Sequence, residues 1–396
     1  MSAAKSPNST RAVHAGAPAV RANHTLAASI AQTATYTFEN TADLEQYMRG
    51  EDPDPEREEY GRYGNPTVRE LEQRVTALES AEDGVAFSSG MAAISTAVLS
   101  LVKTGEHVVL FNDCYRRTRQ LVRSVLPRFG IEHDVVPAGD LSALEAALRP
   151  TTRLVLSESP TNPFLYCVDL QKLSDVVKRH GRIRTLVDST MATPINCRPL
   201  DFGVDLVVHS ATKYLSGHND VLGGVAVGAA HLVSLLRDSR GVLGTVLDPH
   251  AAFLIQRGLK TYFVRYREQT RAAQAVAEHL AAHPAVARVH YPGLPGHPQA
   301  ELAKKQMREA GTVVTFDLKQ GSEAARRFCE SLKLFALTAS LGSTESLVMP
   351  PQLVGSRDFT AEQLRLSGIG PGTVRLSIGL EDIGDLIADI DQALAS

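Results

Sequence analysis

The chain has 396 residues, of which 43% are hydrophobic, and its 41 basic residues nearly balance 44 acidic ones. This length exceeds what a single core usually holds, so we expect a large domain and a smaller one. The near-neutral charge without a long basic block argues against nucleic acid or an anionic membrane as a partner, and no run of eighteen apolar residues predicts a membrane span.

The first 63 residues show little periodicity. They include an acidic stretch at 50–59 that is punctuated by prolines, which is typical of a solvated loop or arm. We therefore predict an N-terminal arm over residues 1–63 that reaches a neighbouring subunit; the alternative is a merely solvated extension. A large cofactor-binding domain is predicted over 64–258 and a small C-terminal domain over 259–396.

Beyond the arm, helical periods alternate with short apolar runs, which indicates a parallel sheet with crossover helices. The predicted strands are 107–111, 153–156, 185–187 and 206–208, and the predicted helices between them include 141–148 and 170–177. After residue 258, a long helix at 262–283 and a strand at 312–318 predict a smaller α+β domain. The sequence therefore predicts an α/β fold in two parts.

Polar residues follow four of these strands: the segment 112–115, Glu158, Asp188 and the segment 210–213. In open α/β sheets, ligands bind at the carboxyl ends of the strands. We therefore predict that these four strand ends line one pocket.

The segment 210–213 has the sequence Ser-Ala-Thr-Lys. A lysine that is desolvated and flanked by hydroxyls suits a carbonyl cofactor, because it offers an amine for a Schiff base and donors for a phosphate. Asp188 lies 25 residues earlier, about one βαβ repeat, and is suited to keeping a pyridine nitrogen protonated. The alternatives are a solvated lysine for Lys213 and a helix-capping aspartate for Asp188.

The segment 88–93, Ser-Ser-Gly-Met-Ala-Ala, precedes an apolar helical run, so its amides lie where a helix N-terminus binds phosphate. The alternative is an ordinary Ser-Gly helix start. The four cysteines show neither a CxxC pair nor metal-ligand spacing, so we expect reduced thiols, a cytoplasmic protein and no metal site.

Several motifs occur together and in order. They are Tyr-Gly-Arg at 60–62, Ser-Ser-Gly-Met at 88–91, Asp-Cys-Tyr at 113–115, Glu-Ser-Pro-Thr-Asn at 158–162, Val-Asp at 187–188, Ser-Ala-Thr-Lys at 210–213, Ser-Leu-Gly-Ser-Thr-Glu at 340–345 and Val-Arg-Leu-Ser at 374–377. With these motifs the chain resembles the cysteine/methionine-metabolism family of pyridoxal-phosphate enzymes. That family includes cystathionine γ-synthase, cystathionine γ-lyase, methionine γ-lyase and O-acylhomoserine sulfhydrylase. The resemblance implies the pyridoxal-phosphate fold type I, which is aspartate aminotransferase-like.

The resemblance also implies a cofactor site. Lys213 would form the Schiff base with pyridoxal 5'-phosphate, Asp188 would pair with the pyridinium, Tyr115 would stack on the ring and Asn162 would bond its hydroxyl. The residues implied for the phosphate are Gly90, Met91, Ser210 and Thr212, together with Tyr60 and Arg62 from the partner subunit. The implied assembly is a homotetramer, built as a dimer of dimers with active sites at the dimer interface.

On the substrate side, the resemblance implies that Arg375 clamps the α-carboxylate with help from the backbone near Ser340. The alternative is a surface arginine that pairs with Glu381 and Asp382. Glu345 stands where synthases and cystathionine-cleaving relatives have an acid, which can meet the distal ammonium of cysteine or cystathionine.

The segment Tyr-Arg-Arg-Thr at 115–118 resembles plant-type cystathionine γ-synthases, whereas methionine γ-lyases have a cysteine where Arg117 stands. We therefore predict γ-replacement on an O-acyl-L-homoserine by L-cysteine, with Arg117 near an anionic leaving group; the alternative is that the arginines are solvated. The alternative functions are cystathionine γ-lyase or another γ- or β-lyase, O-acylhomoserine sulfhydrylase, and a non-catalytic cofactor-binding module.

Overall fold

The computed structural model describes residues 9–18, 20–21, 24–54, 56–355 and 368–396. Its larger sheet has seven strands in the order β1-β7-β6-β5-β4-β2-β3. These strands are β1 (Asp83–Phe87), β2 (His107–Phe111), β3 (Glu132–Val136), β4 (Thr152–Glu158), β5 (Arg184–Asp188), β6 (Leu206–His209) and β7 (Gly224–Gly228). All four strands predicted for the large domain are confirmed, as β2, β4, β5 and β6.

The centre of this sheet is parallel. The strands β3, β2, β4, β5 and β6 pair in parallel, whereas β7 pairs antiparallel with both β6 and β1. Strands β2 and β7 are buried along their whole length, as expected for a sheet covered on both faces. The parallel order brings the carboxyl ends of β4, β5 and β6 to one edge.

Helices cover this sheet and precede it along the chain. They are α1 (Ser9–His14), α2 (Thr41–Met48), α3 (Pro66–Glu79), α4 (Gly90–Leu101), α5 (Arg116–Gln120), α6 (Leu141–Ala147), α7 (Leu170–Lys178), α8 (Thr193–Asn196), α9 (Ala230–Leu243) and α10 (Pro249–Leu259). A π-helical turn at Leu121–Val125 and 3-10 turns at Leu126–Phe129 and Pro199–Phe202 complete this region. The predicted helices at 141–148 and 170–177 are confirmed as α6 and α7.

The C-terminal part has a five-stranded sheet in the order β10-β11-β12-β9-β8. Its strands are β8 (Val286–His290), β9 (Val313–Leu318), β10 (Ala336–Leu337), β11 (Leu347–Met349) and β12 (Thr373–Ser377). Its helices are α11 (Tyr262–Ala282), α12 (Ala300–Gln306), α13 (Gly321–Ser331), α14 (Pro351–Gly355) and α15 (Ile383–Leu394). The predicted helix at 262–283 and strand at 312–318 are confirmed, and the fold is α/β with a smaller α+β part.

The N-terminal segment is more ordered than its composition predicted. Helix α2 begins after Asn40, whose side chain caps the Asp43 amide, and α1 lies against α3. Buried Arg74 on α3 donates to the carbonyl of Ala12 at 2.8 Å. These contacts tie the segment to its own chain, while the predicted boundaries at residues 63 and 258 and the reach toward a partner subunit stay predictions.

Candidate active site

The strand ends that the sequence predicted to line one pocket lie at the carboxyl edge of the larger sheet. Glu158 and Asp188 are the last residues of β4 and β5 and pair in register, and Asp188 pairs in turn with Val208 of β6. The turn that carries Lys213 follows β6 directly, and the Lys213 amide closes it by donating to the Ser210 carbonyl at 3.1 Å. The sheet therefore brings these strand ends together, as the sequence predicted.

Lys213 is partly buried, and its Nζ donates to the Ser340 Oγ at 2.9 Å. Burial lowers the pKa of Lys213, and the charge of Arg375 lowers it further. A lysine amine acts as a base or nucleophile near neutral pH only when its pKa is lowered in this way. The solvated-lysine interpretation is therefore wrong, and Lys213 is suited to Schiff-base and proton-transfer chemistry.

Asp188 is held by Thr190, a residue that the sequence analysis did not assign. The Thr190 amide and Oγ1 both donate to Asp188 Oδ1, at 3.0 and 2.6 Å. Burial raises the pKa of Asp188, against these hydrogen bonds and the charge of His209, which lower it. Thr190 Oγ1 also accepts from the Ser210 amide at 2.8 Å, so one hydroxyl joins the carboxylate to the turn of Lys213. The Asp-x-Thr spacing, typical of a side-chain turn, was the available signal.

The segment 88–91 lies against the Ser210 turn at the N-terminus of α4. Ser89 caps the helix by accepting from the Ala92 amide at 3.0 Å. A Cβ added to Gly90 would lie 2.9 Å from the Ser210 Cβ, and one added to Gly224 would lie 2.1 Å from the Ser89 carbonyl oxygen. Only glycine fits at this distance, so the backbone of α4 and the Ser210 turn form one narrow cradle.

This cradle suits the phosphate of pyridoxal phosphate. Free amides at a helix N-terminus and nearby hydroxyls bind phosphate, and Gly90, Met91 and Ser210 border the cradle. Thr212 Oγ1 exchanges hydrogen bonds with the Gly223 backbone, accepting from its amide at 3.0 Å. With the Lys213 amine and the Asp188 carboxylate at the same edge, the residues present fit the cofactor that the motifs imply.

Tyr115 stands at the N-terminus of α5 with 44% of its surface exposed. Its amide donates to Glu158 Oε2 at 2.6 Å, which fixes the backbone from which the ring projects. Asn162 lies in the loop after β4, and its Oδ1 accepts from Arg375 Nη1 at 3.2 Å. Asn162 is thus in contact with the residue predicted to bind the substrate carboxylate.

Arg375 is buried on β12, with 3% of its surface exposed. Its Nη2 donates to the Ser340 carbonyl at 2.5 Å, and burial lowers the pKa of Arg375 to about 10. Ser340 has a backbone φ of 140°, a conformation that residues other than glycine rarely adopt and that often occurs at functional sites. Ser340 therefore contacts Lys213 through its side chain and Arg375 through its backbone.

The interpretation of Arg375 as a surface ion-pairing residue is wrong. Glu381 instead accepts from the Ser346 amide and hydroxyl, at 2.7 and 2.8 Å. Asp382 caps α15 by accepting from the Gly384 amide. Arg375 instead contacts Ser340 and Asn162 with a buried guanidinium, a group that suits a carboxylate.

Arg117 and Glu345 lie farther out. Arg117 Nη1, on α5, donates to Gln120 Oε1 at 2.5 Å, and exposed Glu345 accepts from Asn219 Nδ2 at 3.3 Å. The loop that carries Glu345 touches the loop after Lys213, because the Thr344 amide donates to the Gly217 carbonyl at 3.0 Å. Glu345 is therefore beside the Lys213 turn, although its own side chain points to Asn219.

Arg62 lines a second cavity of this chain, and Tyr60 lies beside the Arg62 guanidinium. Arg62 donates to the Gly241 carbonyl at 2.8 Å, and its guanidinium lies 4.8 Å from the centre of the Tyr63 ring and 5.3 Å from that of Tyr60. The cavity is about 410 Å³ and is lined by Arg62, Tyr63 and Arg240 among others. Within its own chain, Arg62 therefore contacts Gly241, Tyr60 and Tyr63.

All four cysteines are buried and none forms a disulfide. In the described part of the chain, no group of three or more His, Cys, Asp or Glu side chains has the arrangement of a metal site. Within the same residues, no helix is long and apolar enough to cross a bilayer.

Comparison with known proteins gives a consistent result. A family model described as Cys/Met metabolism PLP-dependent enzyme matches residues 9–395. The chain is 44% identical over 366 residues to cystathionine gamma-synthase 1, chloroplastic, of Arabidopsis thaliana, covering 92% of this chain and 64% of that protein. It is 40% identical over 389 residues to L-methionine gamma-lyase of Porphyromonas gingivalis, and the match covers 98% of this chain and 96% of that protein.

A solved structure is also similar. The crystal structure of metB from Corynebacterium glutamicum matches with a TM-score of 0.91 at 37% identity, covering 98% of this chain and 97% of that one. A likeness this extensive confirms the predicted fold type I arrangement of a large sheet domain and a smaller C-terminal part.

Proposed function

The chain belongs to the Cys/Met metabolism family of pyridoxal-phosphate-dependent enzymes, and on that premise we propose that it makes cystathionine by γ-replacement. In the net reaction, an O-acyl-L-homoserine and L-cysteine give cystathionine and the free acid of the acyl group. The relatives include a synthase and lyases, which together support γ-elimination or γ-replacement chemistry. The choice of replacement and of substrate is our proposal.

The observation that carries the proposal is the convergence of Lys213 and Arg375 on Ser340. In our assignment, Arg375 binds the substrate α-carboxylate and so holds Cα near the Lys213 amine. When bound, pyridoxal phosphate supplies an electron sink beside Cα. A carboxylate clamp and a base of lowered pKa that share one residue suit repeated proton transfers on one amino acid.

Lys213 is assigned the proton transfers. Its Nζ takes the proton from Cα and then assists loss of a proton from Cβ, after which the Cγ–O bond breaks and the acyl group leaves as its carboxylate. The cysteine sulfur then bonds to Cγ, and protons return to Cβ and Cα. Asp188, fixed by Thr190, is assigned to the pyridine nitrogen, since it is ionisable and lies at the same edge of the sheet.

The remaining cofactor contacts follow the family pattern. We assign the phosphate to Gly90, Met91, Ser210 and Thr212, with Tyr115 against the ring and Asn162 near its hydroxyl. Tyr60 and Arg62 are assigned to the phosphate of the partner subunit's site, in a homotetramer built as a dimer of dimers. This assignment is supported by the position of Arg62 on another cavity of its own chain, with Tyr60 beside its guanidinium.

Two residues on the substrate side support an acyl-homoserine and cysteine as the substrates. Arg117, in the Tyr-Arg-Arg-Thr segment, adds positive charge on α5, directly after Tyr115, which suits an anionic acyl or phosphoryl ester. Glu345 is exposed beside the loop after Lys213 and is suited to the ammonium of incoming cysteine. Sulfide has no ammonium, so Glu345 favours cysteine over sulfide as the nucleophile.

The test is a product assay. The purified, cofactor-loaded protein is incubated with succinyl-, acetyl- or phosphohomoserine, each with and without cysteine, and separately with cystathionine, and products are identified by mass spectrometry. Cystathionine formed from one ester and cysteine supports the proposal and names the leaving group. Ketoacid and ammonia from cystathionine, without condensation, would make the protein a lyase instead.

The shared site has its own test. Lys213→Ala and Arg62→Ala proteins, each expected to be inactive or impaired, are mixed after mild dissociation so that their subunits exchange. Because a mixed dimer can hold one site with both residues intact, we expect partial recovery of activity. Failure to recover any activity, with mixing verified by native mass spectrometry, would count against the partner assignment of Arg62.

A further inference from the structure

A second carboxyl group lies beside Asp188. Glu158 ends β4 where Asp188 ends β5, and the two residues pair directly in the parallel register. Paired residues on neighbouring parallel strands point to the same face, and neighbouring strands are about 4.8 Å apart. Two carboxyl groups this close resist being ionised together, so one of them tends to keep a proton.

The two carboxyl groups have different partners. Asp188 Oδ1 accepts two hydrogen bonds from Thr190, which favour its ionised form. Glu158, with 7% of its surface exposed, accepts one backbone hydrogen bond, from the Tyr115 amide at 2.6 Å. Burial raises the pKa of Glu158 well above its usual value, and the charges of Asp188 and Asp113 raise it further. The proton of the pair therefore belongs on Glu158.

The other ionisable groups around Glu158 support this division. Asp113 follows β2, and burial raises its pKa to about 6, so it adds negative charge on that side once it ionises. The Cys114 thiol is buried and its pKa is raised, so it brings no charge at neutral pH. Arg119 is a positive group near Glu158, and its Nη1 donates to the Asn112 carbonyl at 2.8 Å. Its charge lowers the pKa of Glu158, but by less than the carboxyl groups of Asp188 and Asp113 raise it.

Glu158 also borders a cavity. This cavity has a volume of about 320 Å³ and is lined by Glu158 and Asp113, with Tyr166, Cys167 and Gln299 among the residues that close it. The cavity is large enough for water, which gives the Glu158 carboxyl group a possible route for proton exchange with solvent.

We propose that Glu158 is a positioning residue for the cofactor site. It carries the proton of the Glu158–Asp188 pair, which leaves Asp188 ionised toward the pyridine nitrogen, and it holds Tyr115 in place by accepting its amide hydrogen. This role rests on the proposed function of Asp188 and Tyr115. A neutral side chain of the same shape at position 158 leaves Asp188 ionised and still accepts the Tyr115 amide hydrogen. A side chain without an acceptor leaves Asp188 ionised but does not hold Tyr115.

The direct test is infrared spectroscopy of the cofactor-free protein at neutral pH. We expect a carbonyl stretching band of a protonated carboxyl group that is absent in Glu158→Gln and retained in Glu323→Gln, a control on an exposed side chain. Glutamate labelled with ¹³C identifies the band as glutamate rather than Asp113 or Asp188. A spectrum without a Glu158-dependent band would overturn the proposal, and the same comparison is made with Glu158→Ala if Glu158→Gln does not fold.

The functional test compares Glu158→Gln with Glu158→Ala in the holoenzyme. We expect Glu158→Gln to keep cofactor affinity and kcat within a small factor, because the amide oxygen still accepts from Tyr115. Glu158→Ala is expected to lose about tenfold in kcat, the usual effect of deleting one buried hydrogen bond at a site, and to weaken the visible circular dichroism of the bound cofactor. Equal impairment of both variants would mean that an ionised carboxylate is required, and would overturn the proposal.

The readouts separate this inference from the proposed reaction. If the wild-type protein makes no cystathionine, the γ-replacement proposal fails, whereas the infrared band and the cofactor's dichroism still decide the role of Glu158. If cystathionine is made but Glu158 is not protonated, only the present inference fails.

Discussion

The rim of the larger sheet and the loops outside it are built differently. At the rim, Asp188, Thr190, Ser210 and Lys213 belong to neighbouring strand ends and are joined by hydrogen bonds. Outside it, the Arg117 side chain donates to Gln120 and the Glu345 side chain accepts from Asn219. The residues proposed for the reaction chemistry are therefore held by the sheet, whereas the side chains proposed for substrate choice can change without disturbing the sheet. Substitutions of the buried site residues should therefore cost more than substitutions of Arg117 or Glu345.

The largest effect is expected for Lys213→Ala. Because this removes both the Schiff-base amine and the proposed base, we expect kcat to fall by at least about 10⁴-fold and the visible band of the bound cofactor to disappear. Steady-state kinetics and absorbance spectra measure both. Lys172→Ala, with a side chain that is 71% exposed, is the matched control. Retention of turnover and of the band in Lys213→Ala would refute the role of Lys213.

The next effect is expected for Arg375→Ala. Loss of the buried guanidinium removes charge-assisted bonds to the substrate carboxylate, so we expect kcat/KM to fall by about 10²-fold or more. The visible band should persist, since Lys213 remains. Arg327→Ala on α13, whose side chain is 45% exposed, controls for the loss of an arginine. An unchanged kcat/KM in a folded Arg375→Ala protein would exclude Arg375 as the carboxylate clamp.

A smaller effect is expected within the rim for Thr190→Val. The substitution keeps the shape but removes the hydroxyl that joins Asp188 to the Ser210 amide, so we expect cofactor affinity to fall about tenfold. Equilibrium dialysis of the cofactor measures it. Thr190→Ser keeps the hydroxyl and should therefore keep most of the affinity for the cofactor. A Thr190→Ser protein that loses as much affinity as Thr190→Val would show that packing of the methyl group, rather than the hydrogen bond, holds the cofactor site.

The smallest effect is expected for Arg117→Ala outside the rim. We expect the visible band and kcat with the best ester to change little, while the preference for an anionic succinyl or phosphoryl ester over the acetyl ester falls about threefold to tenfold, as for one partly solvated charge. Arg128→Ala, exposed at the end of the following turn, is the control. An unchanged preference would remove Arg117 from the substrate site, and a large loss of cofactor would break the contrast between rim and loops.

Much of the rim was predictable from the sequence. Buried apolar runs located β2, β4, β5 and β6, and polar residues at their ends located Asp188 and Lys213, because parallel strands end at one edge. The spatial partners were not predictable. The pairing of Glu158 with Asp188 depends on which strands are neighbours, and no local pattern encodes the antiparallel pairing of β1 with β7.

Other misses have local causes. Helix α2 was not predicted, although Asn40 with Asp43 three residues later is an N-cap signal, because the polar composition around it favoured a loop. Thr190 was not assigned because its role depends on the Ser210 amide, which lies on another strand end. Ser340 was placed near the carboxylate by resemblance, but its positive φ and its contact with Lys213 are visible only in three dimensions.

The register of β4 and β5 has a consequence for folding. Glu158 and Asp188 share a face only because the two strands pair residue for residue, and side chains along a strand alternate between faces. A slip of one residue between β4 and β5 would send one of the two carboxyl groups to the opposite face of the sheet. The pairing of the two carboxyl groups therefore depends on correct alignment of two strands whose sequences lie about one βαβ unit apart, and it is complete only when that part of the sheet has been assembled.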